Sequence, residues 1–140
     1  MILNNRTTPI SRKKVYGIIF AHADLPKAFQ KTLKTFFGKL PNFAFITNSG
    51  LSAETLVRRL EKRLLRLGRR SVFLFVDMTG SSCWHICYPL KKKFKNIEII
   101  AGFNLPMLVK FIQYREKVEP AELLSLIIAA GKETIKKMEE

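Results

Sequence analysis

The chain is poor in the residues that staple or metallate a small domain. Its 140 residues include two cysteines, two histidines and one tryptophan. Two thiols cannot build the disulfide framework of a small secreted module. The fold must rest instead on an apolar core, which a chain of this length can bury. Cys83 and Cys87 are four residues apart and would share one helix face, where His85 could join them as a third zinc-type ligand. Reduced, buried thiols are the commoner fate of such a pair, so the expectation is no metal and no cofactor. Long apolar runs are also missing: none approaches the ~20 residues needed to cross a bilayer. Residues 1–14 are polar and basic and hold no apolar stretch of signal-peptide type. These absences lead us to expect a cytoplasmic protein without membrane insertion. Acidic residues are scarce, 11 against 25 Lys and Arg, for a formal charge of +14. Such a surface attracts acidic partners and says nothing about fold.

What is present is a regular alternation. Residues 1–14 read as a flexible basic arm and 15–140 as one domain. Val15–Ala21 is a continuous apolar run, the mark of a strand buried on both faces. Asp24 is placed to cap the following helix, with Pro26 in its first turn, Leu25, Phe29, Leu33, Phe36 and Phe37 at helical spacing, and Gly38 as its stop. Phe43–Thr47 is a second strand. Ser52 caps a helix that runs through Leu67 to Gly68, with Leu56, Leu60, Leu64 and Leu67 as its core stripe. Val72–Asp77 is a third strand, followed by a helix from Ser82 to about Phe94, and Ile97–Ala101 is a fourth. Helices over Leu105–Arg115 and Ala121–Met138 complete the chain. Alternating strands and helices imply right-handed crossovers, hence an α/β fold with a doubly wound, mainly parallel sheet of about four strands flanked by helices.

In such sheets, sites form beyond the carboxyl ends of the strands. The first strand runs into His22 and the third into Asp77, so neighbouring strands would bring the two together. A carboxylate that accepts the Nδ1–H of an imidazole fixes the tautomer and leaves Nε2 as a nucleophile. Gly80, Ser81 and Ser82 form a turn that opens a helix, whose free N–H groups suit a phosphoryl group, with the Ser82 hydroxyl as a further donor. His22, Asp77 and Ser82 are the candidate reactive residues, and 80–82 the candidate phosphate-binding loop. Each feature alone has a plain structural reading. Their coincidence at equivalent strand ends points to phosphotransfer.

At these residues the chain resembles the mannose-type enzyme IIA family of the sugar phosphotransferase system. The matching pieces are Gly17–His22, Phe75–Ser82, Ile100–Leu108 and Ala130–Glu133, in the family's order and spread over roughly Val15 to Met138. The resemblance implies a flavodoxin-like three-layer sandwich and a homodimer. It also implies a histidine, His22, that takes phosphate from HPr and gives it to a IIB component, with Asp77 orienting the ring and Ser82 beside the phosphate. Three positions depart from the family pattern. Ala23 replaces a glycine, Ser81 replaces the second glycine of a Gly-Gly-Ser-Pro turn, and Cys83 replaces its proline. Alanine and serine tolerate positive φ less well than glycine, so differently shaped loops are expected there.

A second reading remains open: a divergent regulatory or interaction subunit on the same fold, with weak or no phosphotransfer. Arg58, Arg59, Lys62, Arg63, Arg66, Arg69 and Arg70 form a basic stripe on the second helix and the turn after it, either a solvated face or a docking surface for an acidic protein. Nucleic acid is the lesser alternative, since no nucleic-acid motif accompanies the charge. Trp84 and His85 read as packing residues near the site. Asn104 and Pro106 read as a rim or simply a helix start. The apolar last helix, with Leu123, Leu124, Leu126, Ile127 and Ile128, suggests more apolar surface than one helix face needs.

Overall fold

The alternation becomes nine elements in a computed structural model that describes residues 14–140: β1 (Tyr16–Ala21), α1 (Leu25–Phe37), β2 (Phe43–Thr47), α2 (Ala53–Leu67), β3 (Val72–Val76), α3 (Ser82–Lys93), β4 (Ile97–Ala101), α4 (Leu105–Tyr114) and α5 (Pro120–Glu133). Of the expected arm, 1–14, only Lys14 falls within the described residues. The described chain divides into two compact units, Tyr16–Phe103 and Asn104–Glu140 with residues 14–15.

The first unit is an all-parallel four-stranded sheet in the order β2-β1-β3-β4, with α1, α2 and α3 as its crossovers. Parallel pairing buries both faces of the central strands, which is why β1 and β3 are unbroken apolar runs. Ile18, Phe20, Val72, Leu74 and Val76 form one cluster with Leu56, Leu60 and Leu64 of α2 and with Cys83, Ile86, Cys87 and Leu90 of α3. On other contacts, the Phe103 ring meets Phe29 and Phe75 edge-on, with centroids 5.0 and 6.4 Å away.

Local chemistry sets the helix ends. The Ser52 hydroxyl accepts from Thr55 N–H, and Gly68 closes α2 at φ +62°. Asp24 sits at the N-cap position of α1 but makes no side-chain cap bond, against expectation: its backbone, at φ −89° and ψ 7°, is not in the extended conformation a capping side chain needs. Within α1, Leu33 and Pro26 are buried, while Leu25 and Phe36 are largely exposed, so its apolar stripe is wider than the face that packs. On the basic stripe, Arg58, Arg59, Lys62, Arg66 and Arg69 are exposed. Arg63 instead donates to the Tyr16 hydroxyl at 3.3 Å, and the Arg70 guanidinium lies 5.5 Å from the Tyr16 ring centroid.

In the second unit, α4 and α5 pack on each other. Asn104 caps α4 by accepting from Met107 N–H, and its amide donates to the Gly131 carbonyl at 3.0 Å. A Cβ on Gly131 would lie 2.9 Å from Met107 Cε, so the absence of a side chain permits this close approach. Buried Arg115 donates to the Val15 carbonyl at 3.3 Å. Leu123 and Ile127 are fully buried; Leu124, Leu126 and Ile128 are half-buried rather than exposed, so α5 presents less bare apolar surface than its sequence suggests. The last helix ends at Glu133, not Met138; Ile135 and Met138 are exposed beyond it. No helix among the described residues is long and apolar enough to cross a membrane.

Candidate functional site

The register of the sheet decides which loops meet. β1 and β3 are direct neighbours with Phe20 opposite Val76, so the chain leaves both strands at the same edge, through His22 and Asp77. His22 Nδ1 lies 2.6 Å from Asp77 Oδ2, and the His22 backbone N–H donates to the same oxygen at 3.0 Å. The second carboxylate oxygen accepts from Met78 N–H at 2.9 Å and from the Ser81 hydroxyl at 3.4 Å. The carboxylate thus faces donors on both oxygens. Its side chain is 11% exposed, whereas that of His22 is 44% exposed.

An ionised carboxylate can only accept, so Nδ1 carries a proton, and in the neutral ring Nε2 holds the lone pair. Ser82 Oγ lies 2.9 Å from Nε2 and is then the donor. Burial raises the Asp77 pKa; the hydrogen bonds from the His22 ring and backbone, the charge of His22 and the Met78 N–H outweigh it and hold the carboxyl below the usual range.

Ser82 stands at the first position of α3, whose N-cap is Ser81, accepting from Trp84 N–H. The N–H groups of Ser82 and Cys83, first in the helix, have no acceptor within it and carry its positive end. The structure therefore brings together His22, Asp77, Ser81 and Ser82, with Gly80 at φ +80° shaping the turn. Ser81, at φ −75°, sits without backbone strain. Ala23 adopts a left-handed φ of +52°, a conformation that strains a residue with a β-carbon.

Two features of the site lay beyond the sequence reading. Thr47, at the end of β2, donates its hydroxyl to the Ala23 carbonyl at 2.7 Å and ties down the loop behind His22. A hydroxyl residue ending the strand next to β1 was the available signal. Cys83 is fully buried, with Sγ 3.8 Å from His22 Nδ1. Burial, then the Asp77 charge, push its thiol pKa up to about 12. The conceived zinc set of Cys83, Cys87 and His85 does not assemble: both sulfurs are buried while His85 is exposed. A different trio does converge. Ligand atoms of His22, Asp77 and Cys83 lie within 4.8 Å of one another. Trp84 packs half-buried against the core.

The family model described as PTS system fructose IIA component matches residues 17–128. The PTS system mannose-specific EIIAB component of Escherichia coli is 29% identical over 123 residues, 85% of this chain. The chain spans only 38% of that relative's length. The sorbose-specific EIIA component of Lacticaseibacillus casei is 24% identical over 119 residues, covering 83% of this chain and 85% of the relative. Among solved structures, phosphotransferase system component EIIA from Streptococcus agalactiae superposes with a TM-score of 0.81 at 20% identity, covering 88% of this chain and 96% of that one. The mannose/sorbose specific IIA subunit from Enterococcus faecalis does so with 0.78 at 15% identity, covering 91% and 96%. The structural likenesses speak to the fold.

Proposed function

The chain belongs to the mannose/fructose-type enzyme IIA family of the sugar phosphotransferase system, and on that premise we propose that it carries a phosphoryl group on His22 Nε2. The carrying observation is the ring held by Asp77 through Nδ1 at 2.6 Å, with Nε2 directed at Ser82 and the start of α3. The donor is phosphorylated HPr. The Nε2 lone pair forms the new N–P bond as the bond to the donor's imidazole breaks, and that ring leaves with the electron pair. The proton on Nδ1 stays, and the His22 ring becomes cationic against the Asp77 carboxylate, which lowers the energy of the developing charge. The Ser82 hydroxyl, released from Nε2, turns to donate to a phosphoryl oxygen, and the N–H groups of Ser82 and Cys83 supply further donors. Reversal of these steps passes the group to a IIB component. Residues 15–140 act as one IIA domain in the cytoplasm and assemble as a homodimer, for which light scattering at micromolar concentration should return twice the chain mass.

The second reading, an interaction subunit with weak or no phosphotransfer, draws on the substitutions at Ala23, Ser81 and Cys83 and on the basic surface. One experiment separates the two. Incubation with phosphorylated HPr should give an acid-labile, base-stable label that His22→Ala abolishes and His85→Ala leaves. Label on His85, or no label on the wild-type protein, overturns the carrier reading.

A further inference from the structure

We propose that His22 Nδ1, Asp77 Oδ2 and Cys83 Sγ form a three-ligand site for a borderline-soft divalent cation of the zinc type, and that the bound cation blocks the histidine. The three side chains come from two strand ends and the first turn of α3, and their ligand atoms lie within 4.8 Å of one another. Nδ1 is 2.6 Å from Oδ2 and 3.8 Å from Sγ. Tetrahedral zinc, with bonds of about 2.0 Å to nitrogen and oxygen and about 2.3 Å to sulfur, separates its ligand atoms by roughly 3.3–3.6 Å. The carboxylate must retreat from Nδ1 by about 0.7 Å, and the sulfur must close on Nδ1 by a few tenths of an ångström and on Oδ2 by up to about 1.3 Å, movements that side-chain rotation supplies. The donor set of imidazole, carboxylate and thiolate is one that zinc accepts, and three protein ligands leave a fourth position for water.

The chemistry balances simply. Cation binding expels the thiol proton to solvent as the sulfur–metal bond forms. The imidazole proton leaves Nδ1, which takes the metal, and Nε2 becomes protonated. Ser82 Oγ then accepts from Nε2 instead of donating to it. The lone pair that would attack phosphorus is gone, so the metal acts through the tautomer and need not cover Nε2. This consequence rests on the carrier reading; the coordination does not.

Cobalt(II) is the probe. Added to chelator-treated full-length protein, it should produce a sulfur-to-cobalt charge-transfer band in the near ultraviolet and tetrahedral visible bands, saturating at one equivalent and bleached by zinc. Cys83→Ser and Cys83→Ala should lose the sulfur band, while Cys87→Ser keeps it, with circular dichroism confirming that each variant is folded. Nitrogen-15 spectra of the His22 ring should show the proton moving from Nδ1 to Nε2 on zinc addition. Phosphorylation should fall at least tenfold with zinc, measured against the metal-free rate of the same protein, and Cys83→Ser should escape that inhibition. No sulfur band, or a band that follows Cys87, overturns the site. A band with undiminished phosphorylation overturns the blocking. A band in a protein that takes no phosphate even without metal removes the carrier reading and leaves the coordination standing.

Discussion

Replacing Asp77 by asparagine tests how much of the site depends on a charge rather than a shape. The carboxylate accepts from His22 N–H and Nδ1–H on one oxygen and from Met78 N–H and the Ser81 hydroxyl on the other. A carboxamide has a single acceptor oxygen. Placed toward His22, it keeps both bonds there and turns its NH2 against Met78 N–H, a donor facing a donor. The Ser81 hydroxyl can rotate to accept, but the amide of Met78 cannot, and it must find water. That loss costs about 1 kcal/mol, and the two bonds to His22 each weaken by up to about 1 kcal/mol on losing charge assistance. With the side chain 11% exposed, solvent screens little of this. We expect Asp77→Asn to fold and to be less stable by about 2 kcal/mol, a fall in melting temperature of roughly 8 °C for a chain of this size. Urea denaturation with an unchanged slope measures it. Phosphorylation of His22, assayed well below the melting transition, should slow about 10- to 100-fold, equivalent to about 1.4–2.7 kcal/mol of lost stabilisation of the cationic ring. An asparagine variant with wild-type stability and wild-type rate would refute the argument, because it would show the carboxylate is neither a unique acceptor nor an electrostatic partner.

Two further outcomes follow from the same loops. Ala23→Gly should stabilise the protein by about 0.5–1 kcal/mol, because relief of a left-handed alanine outweighs the entropy that glycine adds to the unfolded chain; a destabilised variant in urea denaturation would show that Ala23 is not strained. Since the Asp77 pKa is lowered on folding, its contribution to stability is fully present above the unfolded value of about 3.9 and is lost as pH falls through the folded value. Denaturation of metal-free protein between pH 7 and pH 2 should show a decline on the acid side that is shallower in Asp77→Asn, and identical slopes would contradict the assignment.

How far the sequence could be read depended on the range over which each feature is determined. Strands β2 and β4 match their apolar runs residue for residue, because five consecutive apolar-rich positions between turn residues carry their own boundaries. The caps at Ser52 and the stop at Gly68 were equally local. Asp24 had the right residue type in the right place and failed on a backbone dihedral that its neighbours impose. Phe36 had the right spacing and failed because periodicity marks an apolar stripe without saying how much of it finds a partner. The His22–Asp77 contact, spanning 55 residues, was legible only conditionally: both lie at carboxyl ends of strands, but their meeting requires β1 and β3 to be neighbours, a fact of strand order that no local pattern carries.

Cys83 marks where that reasoning stopped short. Helical spacing paired it with Cys87, with His85 between them as a possible third ligand. Spacing relates residues on one element, whereas the chemistry of a parallel sheet gathers residues from several. Cys83 enters the site for the same reason Ser82 does: α3 begins where β3 ends, beside the end of β1, so its first turn faces His22. Once the order of strands is known, Cys83 becomes a thiol against an imidazole and a carboxylate. The chemistry open to this chain is therefore set less by the two cysteines being four residues apart than by one of them being the second residue of a helix that opens onto the histidine.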